Sequence, residues 1–283
     1  MNLDAASRQL ITMALAEDFG SVGDITTQHF LPVGELFRAR LIFKDPGLLC
    51  GRTVFDAVCR KVSPRIKVTW KVREGSRLRR GQCAAEIRGP RQLLSAERTA
   101  LNFLQQLSGI ATLTSAYVKQ ARGTGTRILD TRKTLPGWRT LSKYAVRVGG
   151  GCNHRMGLFD MAMLKDNHLA PLTAEQATAR ISSFRRRYPK TPVEIEAANA
   201  REVDLALRLG ADFILLDNMT PTQLKREIRR IRAHGKRSPQ IEISGGVDLK
   251  SVGRLAKLGA DRISIGRITH SAPAHDISLQ LSR

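Results

Sequence analysis

The chain has 283 residues, 42% of them hydrophobic, which is enough for one large or two modest domains with a sizeable core. No apolar run reaches the roughly 20 residues of a membrane helix, and the N-terminus lacks a basic start and carries Asp4, Glu17 and Asp18, so the chain reads as a mature, cytoplasmic protein. The net charge of +22 suits either an anionic partner, a phosphorylated small molecule or a nucleic acid, or simply a solvated face.

In chain order, the pattern predicts a helix from Asp4 to Asp18 closed near Gly20, then a polar loop over EDFGSVGDITTQ. FRARLIF and IKVTWKV alternate apolar and polar residues as half-buried strands do, EGSRLRRGQ supplies turn residues, and CAAEIRG is a further short strand. SAERTALNFLQQLSG reads as a helix with Ser95 as N-cap and Gly109 past its end. Beyond Gly109 the grammar is strand, loop, helix: RILD, AMLK, VEIE, FILL, IEIS and ISIG are short strands, with helices such as AREVDLALRLG and DLKSVGRLAKLG between most of them. LGADFILLDN and LGADRISIGR repeat one αβ unit. This alternation predicts an α/β class with a parallel sheet, closed or nearly closed into a barrel, with an open doubly wound sheet as the second choice. No G-x-G-x-x-G follows the first strand, which weakens the dinucleotide-binding version.

Two features have bland readings. Cys50, Cys59, Cys83 and Cys152 form no C-x-x-C pair, which fits free thiols rather than a zinc site. The stretch from Lys225 to Arg237 carries seven Lys or Arg, of which Arg226, Arg229, Arg230 and Lys236 lie mostly away from Ile228 and Ile231 at helical spacing. That is a solvated helix face, and without interleaved aromatic residues it argues against single-strand nucleic-acid binding.

The chemistry collects at the strand ends, where barrels of this kind keep their reactive groups. RILD leads into Arg132 and Lys133, AMLK into Lys165, VEIE ends in Glu196, FILL leads into Asp217, IEIS into Gly245 and Gly246, and ISIG ends in Gly266. Ser244-Gly245-Gly246 and Gly266 offer bare backbone N–H groups that cradle phosphate. Glu196 and Asp217 are hard oxygen ligands suited to Mg²⁺ and to sugar hydroxyls. Arg132, Lys133, His154, Arg155 and Lys165 form a cationic side, and two or more arginines suit an acceptor bearing two carboxylates. His168 and His275 have no assigned role beyond structure.

The motifs DTRKT at Asp130, GGGCNHR ending at Arg155, LKDNH ending at His168, LLDN ending at Asn218, ISGG ending at Gly246 and GRITHSAPAHDISL from Gly266 together resemble the quinolinate phosphoribosyltransferases. The resemblance extends upstream through SAERTALNFLQQLSGIATLT and EDFGSVGDITT, in family order over nearly the whole chain.

This resemblance implies an N-terminal α/β sandwich domain (residues 1–109, completed by about 271–283) and an incomplete α/β barrel (residues 110–270). It implies transfer of phosphoribosyl from phosphoribosyl pyrophosphate to quinolinate with decarboxylation, Mg²⁺ as cofactor, and a homodimer. It implies that Arg132, His154, Arg155 and Lys165 hold quinolinate, with Arg98 reaching in from the neighbouring subunit. Lys133 would meet the donor, Glu196 and Asp217 the ribose hydroxyls and the Mg²⁺ shell, and Ser244, Gly245, Gly266 and His270 the phosphates. The rivals are a paralogue on the same scaffold with another acceptor, such as the molybdenum-transport-associated type, a nicotinate phosphoribosyltransferase without decarboxylation, and a basic nucleic-acid-binding protein. Leu135, Trp138 and Ser142 stand where the resemblance leads one to expect Thr, Leu and Glu-like residues, and His275 where an apolar residue is expected.

Overall fold

A computed structural model describes residues 2–235 and 238–282. It divides into two compact units, Met1–Ser115 with Thr134–Gly150 and Ile268–Arg283, and Ala116–Lys133 with Gly151–Arg267.

The first unit opens with α1 (Ala5–Phe19), whose start is fixed by the Asp4 carboxylate accepting the Ser7 N–H at 2.8 Å. The segment expected to be a polar loop contains a second helix, α2 (Ile25–Phe30). Asp24 starts it in the same way, accepting the Thr27 N–H at 2.9 Å, so a residue that looks like a turn former is an N-cap. β1 (Phe37–Phe43) is central in an antiparallel sheet of order β12-β1-β5-β3, with β3 (Lys67–Trp70), β5 (Cys83–Gly89) and the C-terminal β12 (Ile277–Ser282). β12 runs along β1 from Phe43↔Ile277 to Arg38↔Ser282. The alternation read in FRARLIF puts Ala39, Leu41 and Phe43 inward, all buried. β2 (Gly47–Leu48) and β4 (Arg77–Leu78) pair as a small ribbon, so two residues of the EGSRLRRGQ turn region are strand. α3 (Arg52–Val62) and α5 (Arg139–Val148) also belong to this unit.

α4 corrects the sequence reading at both ends. It runs from Gln92 to Gln120, so Ser95 lies inside it and Gly109 does not end it. The Ser95 hydroxyl donates to Asp24 Oδ2 at 2.7 Å instead of capping its own helix. Gly109 is glycine because the backbone of Pro273 packs directly on the helix there, and a Cβ would overlap the Pro273 carbonyl. His275 N–H donates to Gln105 O at 2.9 Å and Gln105 Nε2 to Ile277 O at 2.7 Å, lacing this C-terminal segment to α4. His275 is buried here, with Nε2 at 2.9 Å from Asp45 O.

The second unit is a six-stranded parallel sheet of order β6-β11-β10-β9-β8-β7. Its strands are β6 (Arg127–Leu129), β7 (Ala162–Leu164), β8 (Val193–Ala197), β9 (Phe213–Asp217), β10 (Gln240–Ser244) and β11 (Arg262–Ser264). The helices are α6 (Asp166–Leu169), α7 (Ala174–Arg187), α8 (Ala200–Arg208), α9 (Pro221–Arg232) and α10 (Val252–Ala256), and α11 (Arg267–His270) follows β11. The registers sort the strand residues by face. Val193, Ile195, Ile214, Leu216, Ile241, Ile243 and Ile263 share one face, apolar and buried. Glu194, Glu196, Phe213, Asp217, Glu242, Ser244 and Arg262 share the other. In a flat sheet β8 and β11 stand about 14 Å apart, yet Arg262 Nη2 donates to Glu194 Oε1 at 2.6 Å. The sheet therefore curls around its polar face into an incomplete α/β barrel, and β6 and β7 remain its two ends.

The repeated LGAD units perform the same task twice. Asp212 Oδ2 accepts the Val193 N–H that begins β8 (2.8 Å), and Asp261 Oδ2 accepts the N–H of Ile241, the second residue of β10 (2.6 Å). Arg185 binds Asp212 and the Gly210 carbonyl, as Arg232 binds Asp261 and the Gly259 carbonyl. On α9, Arg226 and Arg230 are tied to the buried carboxylate of Glu227, at 2.8 and 3.1 Å, while Arg229 is exposed. Lys236, expected on the same face, lies outside the described residues.

Candidate functional site

The C-terminal ends of the barrel strands gather most of the expected groups in the second unit. At β6, Asp130 is fully buried, accepting the Asn153 amide at Oδ2 (2.5 Å) and the His154 N–H at Oδ1 (2.9 Å). A bridge between Leu129 and Cys152 extends this edge, so residues 152–155 run beside the end of β6. Arg132 and Arg155 are half-buried and close enough that burial first, and the Arg132 charge second, hold the Arg155 guanidinium below the usual arginine range. Arg155 is aimed by hydrogen bonds from Nη1 to Met161 O (3.1 Å) and from Nη2 to Met163 Sδ (3.6 Å). The buried Nε of Arg132 has no hydrogen-bond partner among the described residues. Two guanidiniums this close repel one another, and a bound anion that both can fork onto would relieve it.

Lys165 follows β7 and is ion-paired through Nζ with Glu196 Oε2 at the end of β8. Its backbone N–H donates to His168 Nδ1 at 3.1 Å, which gives His168 a local structural role. Asp217, at the end of β9, accepts the Asn218 amide at Oδ2 (2.7 Å). Glu196 and Asp217 lie on adjacent strands and on the same face. Both are half-exposed hard-oxygen donors with lone pairs to spare, so the pair fits a magnesium ion and sugar hydroxyls. Ser244 ends β10 on that face, and Gly245 and Gly246 follow with φ of +93° and +62°. Gly266 opens the turn after β11, and the exposed Lys133 follows β6. Arg98, exposed on α4, and His270, at the end of α11 with Nδ1 at 2.6 Å from Ser271 Oγ, belong to the first unit.

Beneath these ends lies a group that the sequence reading missed. Glu194, Glu242 and Arg262 are buried on the barrel's inner face, and His154 joins them. Arg262 is paired with both carboxylates, and its guanidinium lies 3.7 Å over the Phe213 ring. His154 Nε2 is 3.1 Å from Glu194 and 3.4 Å from Glu242. Burial alone would lower the imidazole pKa, but hydrogen bonds and charge from Glu194 and Glu242 raise it to about 9. Burial pushes the Glu242 carboxyl up, and His154 with Arg262 more than reverses this, leaving it below the usual carboxylate range. The Arg155 N–H, 2.7 Å from Nδ1, would suit a neutral ring better. Charge balance decides for the imidazolium, because two buried carboxylates then face two cations. His154, Glu194 and Glu242 could span a metal, since their ligand atoms lie within 4.8 Å of one another. Arg262 is already paired with both carboxylates, so a metal ion there would meet a guanidinium.

Among the described residues no helix is long and apolar enough to cross a membrane. The family model "Quinolinate phosphoribosyl transferase, N-terminal domain" matches residues 24–108, and its C-terminal counterpart matches residues 110–280. A "Nicotinate-nucleotide pyrophosphorylase [carboxylating]" of Mycobacterium leprae is 41% identical over 281 residues, covering 98% of this chain and 97% of that protein. The solved nicotinate-nucleotide pyrophosphorylase of Francisella tularensis is 35% identical with a TM-score of 0.90, covering 100% of this chain and 98% of its own. NadC from Streptococcus pyogenes is 37% identical with a TM-score of 0.91, covering 100% and 99%.

Proposed function

This chain belongs to the quinolinate phosphoribosyltransferase family, and from that premise we propose that it joins quinolinate to phosphoribosyl pyrophosphate, releasing pyrophosphate and carbon dioxide and leaving nicotinate mononucleotide. The observation that carries the proposal is the close pair Arg132 and Arg155, one with a buried Nε that has no partner among the described residues, with Lys165 at the end of β7 in the same unit. That cation set matches an acceptor with two adjacent carboxylates, whereas nicotinate carries one.

Arg132, Arg155 and Lys165 take the carboxylates, and Arg98 of a neighbouring subunit completes the set in a homodimer. His154, whose imidazole faces Glu194 and Glu242, serves the acceptor by fixing the chain from which Arg155 projects. Lys133 meets the donor, while Ser244, Gly245, Gly266 and His270 surround its phosphates. Glu196 and Asp217 hold the ribose hydroxyls and the magnesium shell. Bound Mg²⁺ supplies neutralisation of the charge that develops on departing pyrophosphate. The two carboxylates stabilise the oxocarbenium-like ribose carbon, and the clamped pyridine nitrogen attacks it. Once quaternised, the ring accepts the electron pair of the breaking C–C bond, so the 2-carboxylate departs as carbon dioxide, and the carbanion left at C2 takes a proton from solvent to give nicotinate mononucleotide. The protein needs only to position and to balance charge, with no covalent nucleophile. The reading places the enzyme in the cytoplasm. Incubation of the protein with quinolinate, the donor and Mg²⁺, followed by mass detection of nicotinate mononucleotide, tests it; no product under saturating substrates refutes it.

A further inference from the structure

Asn218 has φ of +52° and is the one non-glycine residue with positive φ among those described. Asparagine tolerates this region better than most residues, but the conformation still costs free energy that the surroundings must offset. Three contacts use it. Its side-chain amide donates to Asp217 Oδ2 at 2.7 Å. Its backbone N–H donates to Ser244 O at 3.1 Å. Its side-chain carbonyl packs where a Cβ of residue 245 would stand, so that such a Cβ would overlap Oδ1 and lie 2.6 Å from Cγ. Gly245 is therefore glycine for two reasons, its φ of +93° and this close approach.

We propose that Asn218 is a positioning residue that couples the Asp217 carboxylate at the end of β9 to the Ser244-Gly245 turn at the end of β10. The amide holds one carboxylate oxygen and leaves the other to face the site. The same side chain braces the glycine turn from behind, so that its N–H groups keep one orientation. The carboxylate and the phosphate cradle are thus set by one residue that touches neither ligand. This inference rests on the transferase reading for the ligands involved, but the coupling itself is a property of the chain.

Asn218→Gly separates the two. Glycine keeps the left-handed backbone and its N–H, and deletes only the side-chain contacts. Without any ligand, hydrogen exchange at Ser244–Val247 should quicken about tenfold, as expected for one lost hydrogen bond to a charged group, while the thermal midpoint stays close to that of the wild type. In calorimetry, phosphoribosyl pyrophosphate with Mg²⁺ should bind about tenfold more weakly and quinolinate within about twofold of the wild type. Unchanged exchange in that turn overturns the inference, whether or not the protein is a transferase. Unchanged donor affinity beside a wild type that binds the donor also overturns it, and equal loss of both ligands with a large fall in thermal midpoint assigns Asn218 to folding alone. A wild type that binds no donor counts against the transferase reading and leaves the exchange result to decide the coupling. Asn218→Asp, which keeps size and αL tolerance but places a second carboxylate against Asp217, should weaken donor binding further than Asn218→Gly.

Discussion

Replacing Arg262 with methionine removes a guanidinium that serves two fully buried carboxylates. Glu194 and Glu242 have 0% exposure, and Arg262 pairs with both while lying over Phe213. Breaking a buried ion pair by deleting one partner costs about 3–5 kcal/mol, because the remaining charge stays desolvated. Loss of the contact with the Phe213 ring adds up to about 2 kcal/mol. The His154 imidazolium stays behind and offsets part of this, so we expect a net loss of about 4 kcal/mol. For a chain of this size each kcal/mol moves the thermal midpoint by about 2–4 °C, which gives a fall of about 8–16 °C by calorimetry at neutral pH. The double variant Arg262→Met with Glu242→Leu removes a carboxylate together with its cation. It should regain more than half of the loss, since Glu194 then faces His154 alone. A single variant within about 2 °C of the wild type, or a double variant less stable than the single, would refute the account of the barrel interior.

Three other outcomes follow from the site. Arg155→Lys keeps the charge but loses the planar fork, so quinolinate should bind about tenfold or more weakly with donor binding retained; unchanged acceptor affinity by calorimetry removes Arg155 from the acceptor site. His154 has a folded pKa of about 9 against an ordinary 6.5, so its stabilisation is complete below about pH 6.5 and is lost as pH rises through 9, up to about 3 kcal/mol in all. The thermal midpoint should therefore fall between pH 7 and 10, and His154→Gln should flatten that slope; an equal slope in the variant contradicts the assignment. Burial pushes the Cys59 thiol up to about 12 and raises Cys50 well above its usual value, so a thiol reagent should modify only Cys83 and Cys152 in the native protein; four rapid modifications would contradict this.

What the sequence made legible was the set of strand ends. A short apolar strand followed by Lys165, Glu196, Asp217 or Gly245 marks its own C-terminal end, and the parallel sheet brings those ends to one rim. The interior was not legible, because VEIE, IEIS and RIS carry their charges at alternate positions, as a strand with one wet face does. Glu242 and Arg262 are cross-strand neighbours, but only the curl of the sheet brings Glu194 to them and closes the polar face over all three. The alternation of charge within strands of a parallel sheet was the available signal, since such strands are covered on both faces. Gly109 misled for the same reason: a glycine after an apolar run reads as a helix stop, and the chain segment at Pro273 that requires it is remote in sequence. Trp138, unexpected from the resemblance, stacks on Phe103 within the first unit at 4.9 Å between centroids, a partner that local pattern does not reveal.

The central claim is that Arg132, Arg155 and Lys165 hold an acceptor with two carboxylates, one of which is lost in the reaction. Quinolinate labelled in its 2-carboxylate, incubated with phosphoribosyl pyrophosphate and Mg²⁺, tests it most directly. The account predicts labelled carbon dioxide and pyrophosphate in equal amounts, with nicotinate mononucleotide free of label. Turnover of nicotinate at equal or greater efficiency, or pyrophosphate release with the label retained in the nucleotide, would contradict it.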